Sequence, residues 1–448
     1  MRLEDAFAVV PLALPGDFEQ FRRHLTSEWL EDALLATGTA TVRRRRLPAE
    51  QSVWLVIGMA LMRNESIERV ATLLNLALPA PGAHAVVARS ALTQARQRLG
   101  ADPVEHLFCA TAREWSEQSA DKDRWRGLAL YALDGTTMRV PDSPESWDAF
   151  GGQVATRTRA GSGYPTVRVL GLMAVRSHVL RALRFGPYRV GEVTLARELW
   201  ADLPNDTLTV VDRNFLIAGD LSRLHADGSN RQWLTRAKVD THLKVLKKFS
   251  RNDALVEIQL SRQTRRANQA LPKQWIARAI HYRHKGFRPS VLLTSLTDPT
   301  QYPSAEVVAL YHERWELELG YDEIKTHMLA REEAIRSRTP EGVRQEIWAI
   351  ALAYNLVRRE MERAADEAGV PPTRISFVNA LSMLCHAWIV WSTPPLAPGR
   401  IPAALVDLRQ RLRLLLLPER RPERHYPRVV KIKMSPYDKK WVRRPAAI

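Results

Sequence analysis

Apolar positions along this chain follow two rhythms, and the change between them falls near Gly127. Up to about residue 120 the spacing is helical. Residues 18–36 are amphipathic, and Leu47-Pro48-Ala49-Glu50 opens a strongly apolar helix over 52–62. Residues 66–76, a break at 79–82 and residues 86–99 outline a helix-turn-helix. Its second helix carries Arg89, Gln94, Arg96, Gln97 and Arg98, which suit base edges or phosphates, although an ordinary helical hairpin fits the same pattern. From Gly127 the apolar runs become short and continuous. Leu128-Ala129-Leu130-Tyr131-Ala132-Leu133 runs into Asp134-Gly135, the pattern of a strand buried on both faces.

Residues 167–175 and 179–185 then read as an antiparallel pair joined by a short turn. Residues 192–203 are helical, Leu208-Thr209-Val210-Val211 is a second buried strand, 214–225 are helical and 233–237 form another strand. Three strands, helix, strand, helix, strand is the order of a ribonuclease-H-like fold. Between 238 and 300 the pattern is β-rich (254–260, 275–282 and 290–295), which predicts a small inserted sheet. A helix from Tyr311 follows, then long helices over 343–364 and 376–391 packed back on the core, and a linker at 394–402.

Composition narrows the setting. At 448 residues the chain has room for two to four domains. Its longest apolar runs, 347–354 and 414–417, fall far short of the ~20 residues a membrane span needs. Acidic residues appear early at the N-terminus with no cleavage site, so no signal peptide is evident. Cys109 and Cys385 cannot make a disulfide framework or a four-cysteine zinc site, which points to a reduced cytosol. The net charge of +17 favours a polyanionic partner, nucleic acid first. Residues 401–448 carry 13 Lys or Arg against 4 Asp or Glu, a net +9, and read as a phosphate-contacting arm. The run Arg43-Arg44-Arg45-Arg46 is a second place for backbone contacts.

The chemistry concentrates in Tyr311-His312-Glu313-Arg314-Trp315-Glu316-Leu317-Glu318-Leu319-Gly320-Tyr321-Asp322-Glu323-Ile324-Lys325. At about 100° per residue, Arg314, Glu318 and Lys325 fall near 300°, 340° and 320° from Tyr311. The four share one helical stripe. A carboxylate framed by an arginine, a lysine and a phenol suits holding a metal while gripping phosphates. A solvated face laced with ion pairs is the plain alternative. Upstream, Asp134 ends one core strand and Asp212 closes the next, in Val210-Val211-Asp212-Arg213-Asn214-Phe215. Taken singly, Asp-Gly marks a turn and Asp after a strand caps a helix. Three carboxylates converging would repel, and hard divalent cations relieve that repulsion.

The spacing Y-x2-R-x3-E-x6-K, with two aspartates upstream in order, resembles the insertion-sequence-four family of DDE transposases. The resemblance spans most of the chain. It implies an α/β protein: a ribonuclease-H-like catalytic core in two parts, 121–237 and 301–392, split by a β-rich insertion at 238–300. A helical DNA-binding domain at 1–120 precedes it and a basic tail at 393–448 follows. Asp134, Asp212 and Glu318 are then the catalytic, metal-holding triad for two Mg2+ ions, with Mn2+ as a substitute. Tyr311, Arg314, Lys325 and Arg213 contact DNA phosphates. The partners implied are double-stranded DNA, both terminal inverted repeats and target, and a second copy in a synaptic homodimer. The setting is cytoplasmic, at the nucleoid, with no membrane. The reaction is cut-and-paste transposition through a hairpin on the transposon end. Asn214 stands where the family has glycine in its D-R-G-F context. No tryptophan precedes the strand at Val291, where some relatives hold a flipped base; Trp275 is the nearest substitute, or plain sheet core. Two other functions fit the sequence: a transposase-derived DNA-binding protein without catalysis, and a structure-specific nuclease of ribonuclease-H-like fold.

Overall fold

A computed structural model describes residues 25–40, 47–74, 76, 88–152, 163–260, 262–267, 271, 274–283, 289–329, 334–392 and 400–418. It opens with five helices: α1 (Ser27–Ala36), α2 (Ala49–Leu61), α3 (Ile67–Leu73), α4 (Arg89–Leu99) and α5 (Asp102–Asp121). α2 is central because its sequence offers almost no polar face: ten of its thirteen residues are buried, Trp54, Leu55 and Ile57 completely.

The rest of the chain is built on one sheet. In order come β1 (Ala129–Arg139), α6 (Pro144–Phe150), β2 (Thr166–Ala174), β3 (Leu180–Pro187), α7 (Glu192–Leu199), β4 (Thr207–Val211), α8 (Ala218–Ala226) and β5 (Arg231–Arg236). β6 (Leu243–Ser250), β7 (Asp253–Ile258), α9 (Arg262–Ala267), β8 (Trp275–Tyr282) and β9 (Ser290–Thr294) complete it. The nine strands run in the order β3-β2-β1-β4-β5-β9-β8-β7-β6. β1, β4 and β5 are parallel; β2 and β3 return antiparallel. Side chains alternate across β1: Leu130 and Ala132 join the core shared with the N-terminal helices, while Ala129, Tyr131 and Leu133 join the core under α7 and α8. The continuous apolar run is therefore a strand covered on both faces, as its pattern predicts.

The β-rich segment does not form a sheet of its own. β9 pairs antiparallel with β5, from Leu234↔Thr294 to Arg236↔Leu292, and brings β8, β7 and β6 onto the same sheet. Without β9 the outer edge of β5 would present unpaired backbone groups. β6 escaped the periodicity reading because it is an exposed edge strand carrying Lys244, Lys247 and Lys248.

Among the described residues five α-helices follow: α10 (Ser304–Glu313), α11 (Trp315–Asp322), α12 (Pro340–Ala368), α13 (Phe377–Ser392) and α14 (Ile401–Leu412). α12 has 29 residues, about 43 Å at 1.5 Å each. Thr339 starts it by accepting the Gly342 N–H, and Gly369 ends it in the left-handed region at φ 64°. The N-terminal helices are fastened to this spine. Arg63 ion-pairs with Glu346, and Arg96 reaches Gln345 at 3.0 Å. Arg96 thus faces inward, which removes it from the set expected to read DNA; Arg89, Gln94, Gln97 and Arg98 stay exposed. The expected break at 79–82 and the arginine run at 43–46 lie outside the described residues. The tail also departs from expectation, because its start is a docked helix. Leu405 and Leu412 of α14 are fully buried, and Arg409 pairs with Glu360 at 3.3 Å and Glu367 at 3.1 Å. Among the described residues no helix is long and apolar enough to cross a membrane.

Candidate active site

β1 and β4 pair in parallel up to Leu133↔Val211 and no further. Asp134 and Asp212 are the next residues on each, so they stand side by side where the pairing of β1 and β4 stops. Asp134 is midway along β1 and not at its end, and Asp212 is just past the end of β4; there the sheet opens into a crevice. The crevice exists because the two strands part: β1 continues to Arg139 along β2, whereas the chain after Val211 turns into a short 3-10 segment, Arg213–Phe215. Asp212 precedes that turn, but its side chain makes no capping hydrogen bond to it. The helix-cap reading of this aspartate does not apply.

The third carboxylate arrives from α11, across a break. α10 ends at Glu313, Arg314 holds the junction, and α11 carries Glu318. After Asp322 the coil widens to i→i+5 hydrogen bonding over Glu323–Met328, a form found mostly at functional sites. The stripe of four is therefore spread over three helical pieces, not one. It still delivers Glu318 and Lys325 to a single cleft of about 250 Å3, lined also by Asp134, Gly135, Thr136, Tyr321, Asp322 and Thr326.

Arg314 joins the two acids. One terminal nitrogen donates to Asp134 Oδ2 at 2.8 Å and the other to Glu318 Oε1 at 2.8 Å. Its buried Nε has no hydrogen-bond partner. Asp134 Oδ1 accepts the Gly135 N–H at 2.8 Å. Burial pushes the Asp134 carboxyl above its ordinary range; the Gly135 N–H and Arg314 oppose this, and the charges of Glu318 and Asp212 add to it. For Arg314 burial lowers the pKa, but Asp134, Tyr311 and Glu318 outweigh that and raise it. Tyr311 is 7% exposed, and burial holds its phenol protonated against the pull of Arg314 and Arg236. Asp212 and Tyr311 lie outside the cleft lining yet within electrostatic reach, since the charge of Asp212 acts on both Asp134 and Tyr311. Arg213 is exposed and is not part of the lining. Trp275 is buried, with its ring 5.8 Å from Trp233, a core position.

Two contributors went unread in the sequence. Tyr321 donates its hydroxyl to the Asp134 carbonyl at 2.7 Å, tying α11 to β1. Glycine at 171 makes room, because a Cβ there would come within 2.8 Å of that hydroxyl. Arg236 follows the β4–β5 register to the strand end next to Asp212. A position at the carboxyl end of a parallel strand was the signal for it.

The donors suit a hard cation: three carboxylates, oxygen only, two of which add their charge to the burial that raises Asp134. Among the described residues no three ligating side chains are gathered at metal distance, and the Arg314 guanidinium spans Asp134 and Glu318.

Comparison with known proteins identifies the family. Residues 15–109 match the model described as insertion element 4 transposase N-terminal, and residues 125–356 match that of the transposase DDE domain. The transposase InsG for insertion sequence element IS4 of Escherichia coli is 38% identical over 424 residues, covering 94% of this chain and 92% of that protein. The putative transposase InsZ of Escherichia coli is 39% identical over 231 residues, 52% of this chain and 75% of that protein. Among solved structures, a piggyBac transposase synaptic complex with hairpin DNA overlays at a TM-score of 0.42 with 11% identity, covering 91% of this chain and 86% of that one. The chain belongs to the insertion-sequence-four family of DDE transposases. It is a DNA transposase with a ribonuclease-H-like core, an enzyme that cleaves and transfers DNA strands and depends on a divalent metal.

Proposed function

We propose that Asp134, Asp212 and Glu318 are the catalytic triad, and that the enzyme excises its element through a hairpin on the transposon end. The observation that carries this is the meeting of Asp134 and Glu318 on Arg314, beside the strand that bears Asp212. Asp134 and Glu318 share one guanidinium although 184 residues separate them in sequence (318 − 134), and Asp212 stands on the adjoining strand. Two Mg2+ ions, or Mn2+ in their place, held by these carboxylates supply charge neutralisation for in-line phosphoryl displacement. For that, Arg314 must release Asp134 and Glu318. Its fork then suits two oxygens of one phosphate. Lys325 offers a second cation across the same cleft, and the protonated Tyr311 hydroxyl can donate to a phosphate oxygen. Arg213, exposed beside Asp212, is placed to meet the flanking strand.

The helical region up to about residue 120 and the basic tail beyond Pro418 complete the DNA-binding surface in this reading, and two copies pair two transposon ends. The test is a time course on a labelled transposon end with Mg2+, separating nicked, hairpin and joined products. Nicks followed by hairpins and then joined DNA support the reading. Nicks resealed or released as linear ends, with no hairpin, contradict it.

A further inference from the structure

The helix that presents Glu318 and Lys325 to the cleft has an equally organised back. At about 100° per residue, Glu316 and Glu323 lie about 20° apart and roughly opposite Glu318, which lines the cleft with Lys325. The back pair is turned into the protein, against a polar cluster that the proposed chemistry does not use. His178 is at its centre, 2% exposed, in the turn between β2 and β3 with φ 63°. Its Nε2 lies 2.9 Å from a Glu316 carboxylate oxygen and its Nδ1 2.5 Å from a terminal nitrogen of Arg358. A guanidinium can only donate, so Nδ1 accepts and Nε2–H donates to Glu316. Arg358, 1% exposed on α12, also ion-pairs with Glu323, and that carboxylate accepts the Tyr354 hydroxyl at 2.8 Å. Burial works to raise the Glu323 pKa, but the Arg358 charge outweighs it and, with the Tyr354 hydroxyl, holds it at about 2.

This helix needs an anchor because it is irregular on both sides of Glu318. It breaks at Arg314 and widens from Glu323 onward. A slip of one residue at either place turns the helix by about 100° and carries Glu318 out of the cleft. Glu316 lies between the break and Glu318, and Glu323 stands at the first residue of the wide turn. We propose that His178 and Arg358, acting through Glu316 and Glu323, are positioning residues that fix the rotation of this helix so that Glu318 and Lys325 face the cleft. The inference rests on the reading of Glu318 given above.

The experiment compares His178→Leu with His178→Gln in the full chain, measuring end-DNA affinity and single-turnover nicking with Mg2+. Glutamine keeps an oxygen that accepts from Arg358 and an amide that donates to Glu316; leucine keeps neither. The expected result is unchanged DNA affinity in both, a rate on the order of 100-fold lower for leucine, and most of the rate returned by glutamine. Should the leucine variant fail to fold, Glu316→Leu carries the test, since it leaves the Arg358–Glu323 pair in place, and its rate must fall while affinity holds. Wild-type nicking in a folded His178→Leu or Glu316→Leu protein overturns the proposal. So does a loss that glutamine leaves unrepaired, because that marks packing alone. Glu318→Ala, run in parallel, separates the two claims. If it nicks normally, the triad reading fails; if it is inactive while the His178 and Glu316 variants are normal, only the positioning role fails.

Discussion

On the front of α11, Arg314 joins Asp134 to Glu318; on the back, Arg358 joins Glu323 to His178. Each site is bridged by one arginine, to two carboxylates at the front and to a carboxylate and an imidazole at the back, and the surroundings differ. At the front, Arg314 is 11% exposed and its partners Asp134 and Glu318 21% and 33%; at the back, Arg358 and His178 are 1% and 3% exposed and only Glu323, at 17%, reaches water. Water at the front can replace a broken ion pair, so the pair can be exchanged for a metal and a phosphate. At the back, water reaches Glu323 but not Arg358 or His178, so a broken pair leaves the guanidinium and the imidazole without a substitute partner. One arginine is a stand-in and the other a fixture, and burial decides which.

The largest effect should come from the front carboxylates. Asp134→Ala, Asp212→Ala and Glu318→Ala should each drop cleavage to background while end-DNA affinity, measured by gel shift, stays near wild type. Retained cleavage in any of them would dissolve the front site as a centre of chemistry. Next comes stability. Arg358→Met takes a wholly buried guanidinium away from both Glu323 and His178 and should cost about 3 kcal/mol in denaturant unfolding. Arg314→Met should cost no more than about 1 kcal/mol, because its partners reach water. Equal losses would erase the contrast.

Step selectivity sharpens it further. Arg314→Ala and Lys325→Ala should retain part of first-strand nicking and lose hairpin formation and joining on the order of 100-fold, since later steps need a second strand held in line. Uniform loss at every step would assign them to general binding. The acid limb of stability offers a subtler test. Glu323 is depressed in the folded protein, so its contribution is present above the ordinary carboxylate value of 4.5 and disappears as pH falls toward about 2. Glu323→Gln should flatten that limb, while Glu318→Gln should change it less. The smallest effect concerns the tail. Truncation after Pro418 spares α14 and removes residues 419–448, which hold 10 Lys or Arg against 3 Asp or Glu. The log–log salt slope of DNA binding should become shallower. An unchanged slope would mean that these residues make no phosphate contacts.

The parts legible in the sequence were those with local signals. Asp134 and Asp212 showed as acids closing apolar runs, and Arg314, Glu318 and Lys325 as a spacing on one helix. Strand order through β5 followed from the same periodicity. What failed to show depends on partners far along the chain. β6 carries lysines where alternation was expected, and β9 was read into a separate sheet because only pairing with β5 reveals otherwise. Arg96 looked like a DNA contact until Gln345, 249 residues away, claimed it. α14 read as part of a basic arm because its arginines outnumber its single aspartate, while Leu405 and Leu412 decide where it sits. His178 and Arg358 meet across 180 residues, and neither had a motif to announce it.

The account stands on the front carboxylates acting together as one metal site. Mn2+ bound to the full-length protein with a transposon-end duplex can be counted by electron paramagnetic resonance. Two bound ions are predicted for the wild type, with loss of ordered binding in Asp134→Ala, Asp212→Ala and Glu318→Ala alike. The same two ions bound in the Glu318→Ala protein would show that α11 does not complete the site, and would contradict the account.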